Sequence, residues 1–183
     1  MQTNYLGNQL LIAMPSLQDQ NFSHSVTFLC KHNADGAFGL VINRPSDMSI
    51  GDIFSDQISR QNPQSVYIGG PIHQDRGFVL HQPIGQWQST LHITETLGMT
   101  VSSDILIAIA DKHRLAPEHS LVSIGYAGWA AGQLEQEIAE NSWLTCPASP
   151  DLLFDTPADM VWLQAAQTLG IDLTLISTHA GHA

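Results

Sequence analysis

Positive charge is what this chain has least of. Only 6 of its 183 residues are Lys or Arg, against 17 Asp or Glu, for a formal net charge of −11 with histidine neutral. Binding a phosphate backbone relies on several Lys or Arg contacts. The basic residues Lys31, Arg44, Arg60, Arg76, Lys112 and Arg114 are scattered and form no basic stripe. Direct nucleic-acid binding is therefore not expected. Cysteine is nearly absent as well. Cys30 and Cys146 lie far apart without a disulfide-scaffold pattern, which fits reduced thiols in the cytoplasm. Long hydrophobic runs are missing: the first apolar run ends at Pro15 with no basic residue ahead of it. Neither a signal peptide nor a membrane span is expected. No repeat, linker or low-complexity tract divides the chain, and 43% of it is hydrophobic. That predicts one domain over residues 1–183 with a real core.

What is present reads as alternating short elements. Leu10–Met14 is an apolar strand closed by Pro15, and Val26–His32 alternates with Val26, Phe28 and Cys30 on one face. Asn33-Ala34-Asp35-Gly36 is a turn signal into Ala37–Asn43, so a hairpin is predicted. Ser49 is placed to cap a short helix over Ile50–Ser55. Val66–Gly69 and Gly77–His81 read as strands either side of the Gly69-Gly70-Pro71 turn, and Leu91–Ile93 as another. Ser102 or Ser103 caps a helix reaching about Lys112, with Ile105, Leu106 and Ile109 as its apolar stripe. Near the end, Thr156 as N-cap and Pro157 at the first helical position open a helix with Met160, Leu163 and Ala166 near one face. Gly170 stops that helix, and Leu173–Ile176 closes the chain as a strand. Hairpins in the first half and alternating helices and strands in the second predict an α+β domain.

The most distinctive stretch is SLVSIGYAGWAAGQLEQEIAENSWL, residues 120–144. It reads as a strand over Leu121–Ile124, a glycine-punctuated turn through Gly125, Gly128 and Gly132, and a helix over Gln133–Asn141. It is not a phosphate loop: the pattern is neither GxGxxG nor a Walker loop, and no Lys-Ser/Thr follows Gly132. Glu135 and Glu137 in the first turns suit the helix dipole themselves and would repel a phosphate. Tyr126 and Trp129 pack this junction or line a groove for a partner.

Other groups that invite chemistry fall short of a motif. Ser23 and His24 sit near Asp19, but a triad is a matter of geometry, and there is no GxSxG elbow. A turn role is expected, with His24→Ala leaving the fold intact. His179 and His182 form an HxxH, yet no HExxH, CxxC or Cys/His cluster has zinc spacing, so neither metal nor cofactor is expected. Cys30 is expected to be buried. Cys146, between Thr145 and Pro147, is expected in a loop and to react first with thiol reagents. Arg44 and Arg76 stand out among so few cations. Each is expected to meet a carboxylate of the fold, with an anion site formed by both as the alternative.

Several segments recur in order along the chain: LLIAMPSLQDQNFSHSV (10–26), GAFGLVINRP (36–45), YIGGPI (67–72), DRGFVLH (75–81), GYAGWAAGQLEQEIAENSWL (125–144), LLFD (152–155) and GHA (181–183). Together they resemble the bacterial YqgE/AlgH proteins. The resemblance implies a compact α+β fold: a bifurcated, mostly antiparallel sheet with a small barrel-like part surrounded by helices. It also implies a cytosolic protein. One branch of that family is associated with transcriptional control of alginate production. With this acidic chain, that implies an indirect role through another protein, with no direct nucleic-acid or membrane contact. The expected function is thus non-enzymatic binding or regulation, with Arg44, Arg76, Tyr126 and Trp129 as candidate binding residues. The alternative is an enzyme, a hydrolase or a thiol-dependent activity with a small-molecule pocket. A polar pocket joining Arg44 or Arg76 to a histidine would favour the enzyme. Oligomeric state is left open.

Overall fold

The computed structural model describes residues 5–54 and 61–176. In chain order its strands are β1 (Gln9–Ala13), β2 (Val26–Asn33), β3 (Gly36–Val41), β4 (Pro45–Ser49), β5 (Ser65–Ile68), β6 (Ile72–Gln82), β7 (Thr90–His92), β8 (Gly98–Thr100), β9 (His119–Ala130) and β10 (Trp143–Pro147). The helices are α1 (Ile50–Ile53), α2 (Ser103–Ala110), α3 (Gln133–Ala139) and α4 (Ala158–Gln167). The fold is α+β; β1–β10, β1–β2, β2–β3, β4–β5, β6–β8, β6–β9 and β7–β8 pair antiparallel, and β5–β9 pairs parallel. Backbone packing divides the chain into two compact units, Met1–Asn43 with Gly128–Ala183, and Arg44–Ala127.

In the first unit β1 lies between β10 and β2, and β3 follows β2. Leu10, Leu11, Ile12 and Ala13 have no exposed surface, as befits a strand covered on both faces. The β2–β3 hairpin forms where the turn signal placed it, with Asp35 N–H donating to Asn33 Oδ1 at 3.0 Å. Val26 through Cys30 are all buried, so both faces of β2 are covered there and the expected alternation fails; a register shift follows between Leu29 and Lys31. α4 packs on β1, and its Trp162 Nε1–H donates to the Ala13 carbonyl at 2.8 Å.

Four expectations fail. The strand through Leu121–Ile124 does not turn at Gly125; β9 runs on to Ala130, because strand pairing satisfies its backbone, and only Ala131–Gly132 separates it from α3. Gly132, at φ +75, is the N-cap of α3. Leu173–Leu175 is a 3₁₀ turn rather than a strand, because the Asp172 carboxylate takes the Thr174 N–H at 2.9 Å. α4 starts one residue later than expected, with Pro157 as N-cap and Val161, Ala165 and Ala166 inward. Met160 is exposed. Thr156 instead closes a π-helical turn over Asp151–Asp155, donating to the Asp151 carbonyl at 2.9 Å. Cys146 is not in a loop: it lies in β10 and is only 1% exposed.

In the second unit the strand order is β4-β5-β9-β6-β8-β7, with β5 parallel to β9. α2 lays Ile105 and Ile109 on a core formed with Ile50, Val66, Val79 and Val122. That matches the apolar stripe read from sequence, except that Leu106 is only half-buried. α1 begins at Ser49, whose N–H and Oγ–H both donate to Asp52, at 2.7 and 2.8 Å. Those bonds hold the Asp52 carboxyl below its ordinary range.

Candidate functional site

The second unit has an unusual crossing. β5 and β6 flank β9 on opposite sides, yet only Gly69-Gly70-Pro71 joins them. So short a link must run directly across the β9 backbone. Gly69 N–H donates to the Ile124 carbonyl at 2.8 Å. A Cβ on Gly70 (φ +156) would lie 2.1 Å from the Tyr126 carbonyl carbon, and one on Gly125 (φ +70) 2.3 Å from the Gly70 oxygen. Glycine is required on both sides of the contact because backbone meets backbone there.

The crossing also reshapes the start of β6. Ile72 pairs with Tyr126 and Gly77 with Ile124, so His73, Gln74, Asp75 and Arg76 all stand opposite Gly125 alone. This is a large bulge, a device that re-aims side chains off a sheet. All four residues are exposed. His73 sits at φ +49, its Nδ1 3.8 Å from Asp75 Oδ1, and Gln74 Nε2 donates back to the Gly70 carbonyl at 3.4 Å. The Tyr126 ring joins the bulge to the sheet, 6.0 Å from the His73 ring and 5.6 Å, edge to face, from Phe78. Beside it Arg76, Gly77, Phe78 and Val101 line a cavity of about 410 Å³.

Of the four candidate residues, Arg76 lies in the bulge and Tyr126 packs against it through His73. Arg44 precedes β4, its carbonyl accepting the Ile68 N–H at 2.8 Å, on the β5 side of β9. Trp129 belongs to the first unit, where it is 7% exposed. Its indole N–H and that of Trp143 both donate to Glu137 Oε2, at 2.9 and 2.8 Å. Phe22 completes that cluster, 6.1 Å from the Trp129 ring and 5.6 Å from Trp143. Trp129 is a packed side chain held by a carboxylate, and it also lines a groove of about 200 Å³ with Lys31, Asp35 and Phe38.

Residues 10–174 match the AlgH-like family. The chain belongs to that family. A UPF0301 protein of Thioalkalivibrio sulfidiphilus is 53% identical over 182 residues, 96% of each chain. One from Nitrosococcus oceani is 47% identical over 98% of this chain and 97% of its own. The solution structure of the AlgH protein of Pseudomonas aeruginosa superposes with a TM-score of 0.80 at 45% identity, over the full length of both chains. A crystal structure from Corynebacterium diphtheriae reaches 0.74 at 25% identity, over 96% of this chain and 93% of that one.

Elsewhere in this AlgH-like chain the other groups settle into local roles. Ser23 Oγ lies 2.9 Å from His24 Nδ1, but the Asp19 carboxylate accepts the Asn21 N–H and orients no imidazole. His24 sits at φ +57 with its ring 4.5 Å from that of Trp162, in a turn. Cys30 and Cys146 are both buried, and burial pushes both thiols up, for Cys146 against a bond from Thr168. Reagent access to Cys146 is therefore closed by β10. His179 and His182 lie outside the described residues, and among those described no group of His, Cys, Asp and Glu could hold a metal.

A larger groove of about 560 Å³ is lined by Asn62, Gln64, Lys112, His113, Glu118 and their neighbours, without Arg44 or Arg76. Among the described residues that line the cavity at Arg76 there is no histidine. Neither has the combination that would favour an enzyme. Two features escaped sequence reading. The bulge is one: its only signal is the polar run His73–Arg76 interrupting an extended pattern just after a glycine turn. The other is His81, fully buried, whose Nδ1–H donates to the Pro83 carbonyl at 3.1 Å while Nε2 accepts from Thr100 Oγ1 at 2.8 Å. Burial lowers its pKa, the Pro83 bond opposing and His92 adding to the effect.

Proposed function

We propose that this chain is a non-enzymatic cytoplasmic binding protein that acts on transcription indirectly, through a protein partner held at the His73–Arg76 bulge. The observation that carries this reading is the bulge itself. Exposed, flexible polar residues would pay an ordering cost on binding, whereas these are presented on backbone already fixed by the Gly70–Gly125 contact. The bulge offers donors and acceptors of both signs beside a tyrosine, a composition suited to protein contact. It offers no nucleophile paired with an oriented base. The net charge of −11 disfavours operator DNA as the partner. The transcriptional link rests on the family resemblance.

The test is complementation of a deletion strain, read as a transcript profile, together with affinity capture by the same proteins. Asp75→Arg and His73→Ala should keep the thermal melt of the parent, lose the same captured protein, and fail to restore the profile. Variants that restore the profile as fully as the parent would remove the bulge from the function. Tight, salt-sensitive binding of the purified chain to DNA would replace the partner reading altogether.

A further inference from the structure

We propose that the cavity beside Arg76 binds a small amphipathic monocarboxylate, its carboxylate on the guanidinium and its apolar body over Phe78 and Val101. At about 410 Å³ the cavity falls within the range of small-ligand sites, about 300–1,000 Å³. Among the described residues that line it, Phe78 and Val101 are apolar and Arg76 is charged. Val101 is 48% exposed, a β-branched side chain facing water beside a concave surface. Gly77 contributes no side chain to the lining, and a Cβ there would meet only Leu106 Cδ1, at 3.4 Å, an ordinary contact.

The polar end is Arg76. Among the described residues no carboxylate lies within ion-pair range of its guanidinium, contrary to the partner expected from sequence. Its neighbour Asp75 faces His73 instead. A planar guanidinium takes a carboxylate through two parallel bonds. A single cation in a chain of net charge −11 suits a monoanion better than a phosphate dianion, which the surrounding field repels more strongly. One charge at the rim and an apolar floor thus select an acid with a short hydrocarbon body. This site shares Arg76 with the bulge but goes beyond the partner reading, since its remaining walls, Gly77, Phe78 and Val101, lie outside His73–Arg76.

Octanoate is the probe, with octan-1-ol and octylammonium as its neutral and cationic counterparts, followed by amide and methyl chemical shifts on the full chain. Octanoate should bind saturably and shift Gly77, Phe78 and Val101, while the alcohol binds at least tenfold more weakly and the ammonium not at all. Arg76→Gln, at an exposed position, should weaken octanoate at least tenfold and erase the preference over octanol. Val101→Trp should fill the cavity and abolish binding while leaving partner capture at the bulge intact. No saturable octanoate binding overturns the proposal, as does equal affinity in Arg76→Gln or equal binding of octan-1-ol. Because Val101→Trp spares the bulge, loss of the acid site and loss of the partner site are read separately.

Discussion

Replacing Glu137 by alanine should destabilise the first unit more than its half-exposed position suggests. Glu137 Oε2 is the acceptor for two indole N–H groups, of Trp129 and Trp143, which are only 7% and 4% exposed. Its other oxygen takes Gln133 Nε2 at 2.9 Å, on the surface. Alanine leaves both indoles without that acceptor. An orphaned buried donor costs about 1–3 kcal/mol, so two give about 2–6 kcal/mol. Water entering where the carboxylate stood recovers part, and about 2–4 kcal/mol is expected. For a chain of this size about 3 kcal/mol lowers Tm by about 6–12 °C. Glu137→Gln is the informative control. Its amide oxygen can still accept both indoles, but its amide nitrogen then meets the Gln133 donor. Gln133 cannot turn over freely, because its own oxygen accepts the Ala130 N–H at 3.0 Å. That variant should lose about 1 kcal/mol, one exposed bond plus the charge assistance. Urea unfolding followed by far-UV circular dichroism and by tryptophan emission measures both. If Glu137→Ala falls within about 0.5 kcal/mol of the parent, the indole bonds contribute nothing net and the reasoning fails.

The remaining predictions use the same observations. Gly125→Ala should abolish folding or cost several times more than Gly132→Ala, since both have positive φ but only Gly125 would drive a Cβ into backbone; Gly132, with nothing within 4 Å, should cost about 1 kcal/mol in a thermal melt. Both thiols should resist a disulfide reagent in the native chain and react together on unfolding, and rapid native labelling of Cys146 would contradict its place in β10. His81, with its pKa lowered in the fold, binds a proton more readily when unfolded, so stability should hold above about pH 6.5 and fall as the pH drops below it. His81→Gln should flatten that slope between about pH 7 and 5.5, well above the carboxylate range. His24→Ala, at an exposed turn, should melt within about 0.5 kcal/mol of the parent, judged against ordinary surface substitutions.

Local patterns decided much of this protein. The turn chemistry of Asn33–Gly36 made a hairpin, Ser49 with Asp52 opened a short helix, and the Ile105/Ile109 spacing placed the inward face of α2. These were legible because neighbours along the chain make the deciding contacts. The ordered motifs likewise identified the family. Tertiary structure decided the rest. A glycine that reads as a turn, Gly125, lies inside a strand because another segment crosses its backbone there, which no local pattern encodes. Cys146 looked like a loop residue beside a proline and became a buried strand residue because β1 pairs with it, Leu10 opposite Cys146. The candidate residues were sorted the same way. Arg76 and Tyr126 belong to one bulge because the pairing of Ile72 with Tyr126 throws His73–Arg76 out of the sheet, while the Arg44 backbone lies on the β5 side of β9 and Trp129 falls into a carboxylate-bridged cluster. Sequence alone settled composition, charge and those elements whose deciding contacts are between chain neighbours; which distant side chains share a surface was fixed by strand pairing over long separations.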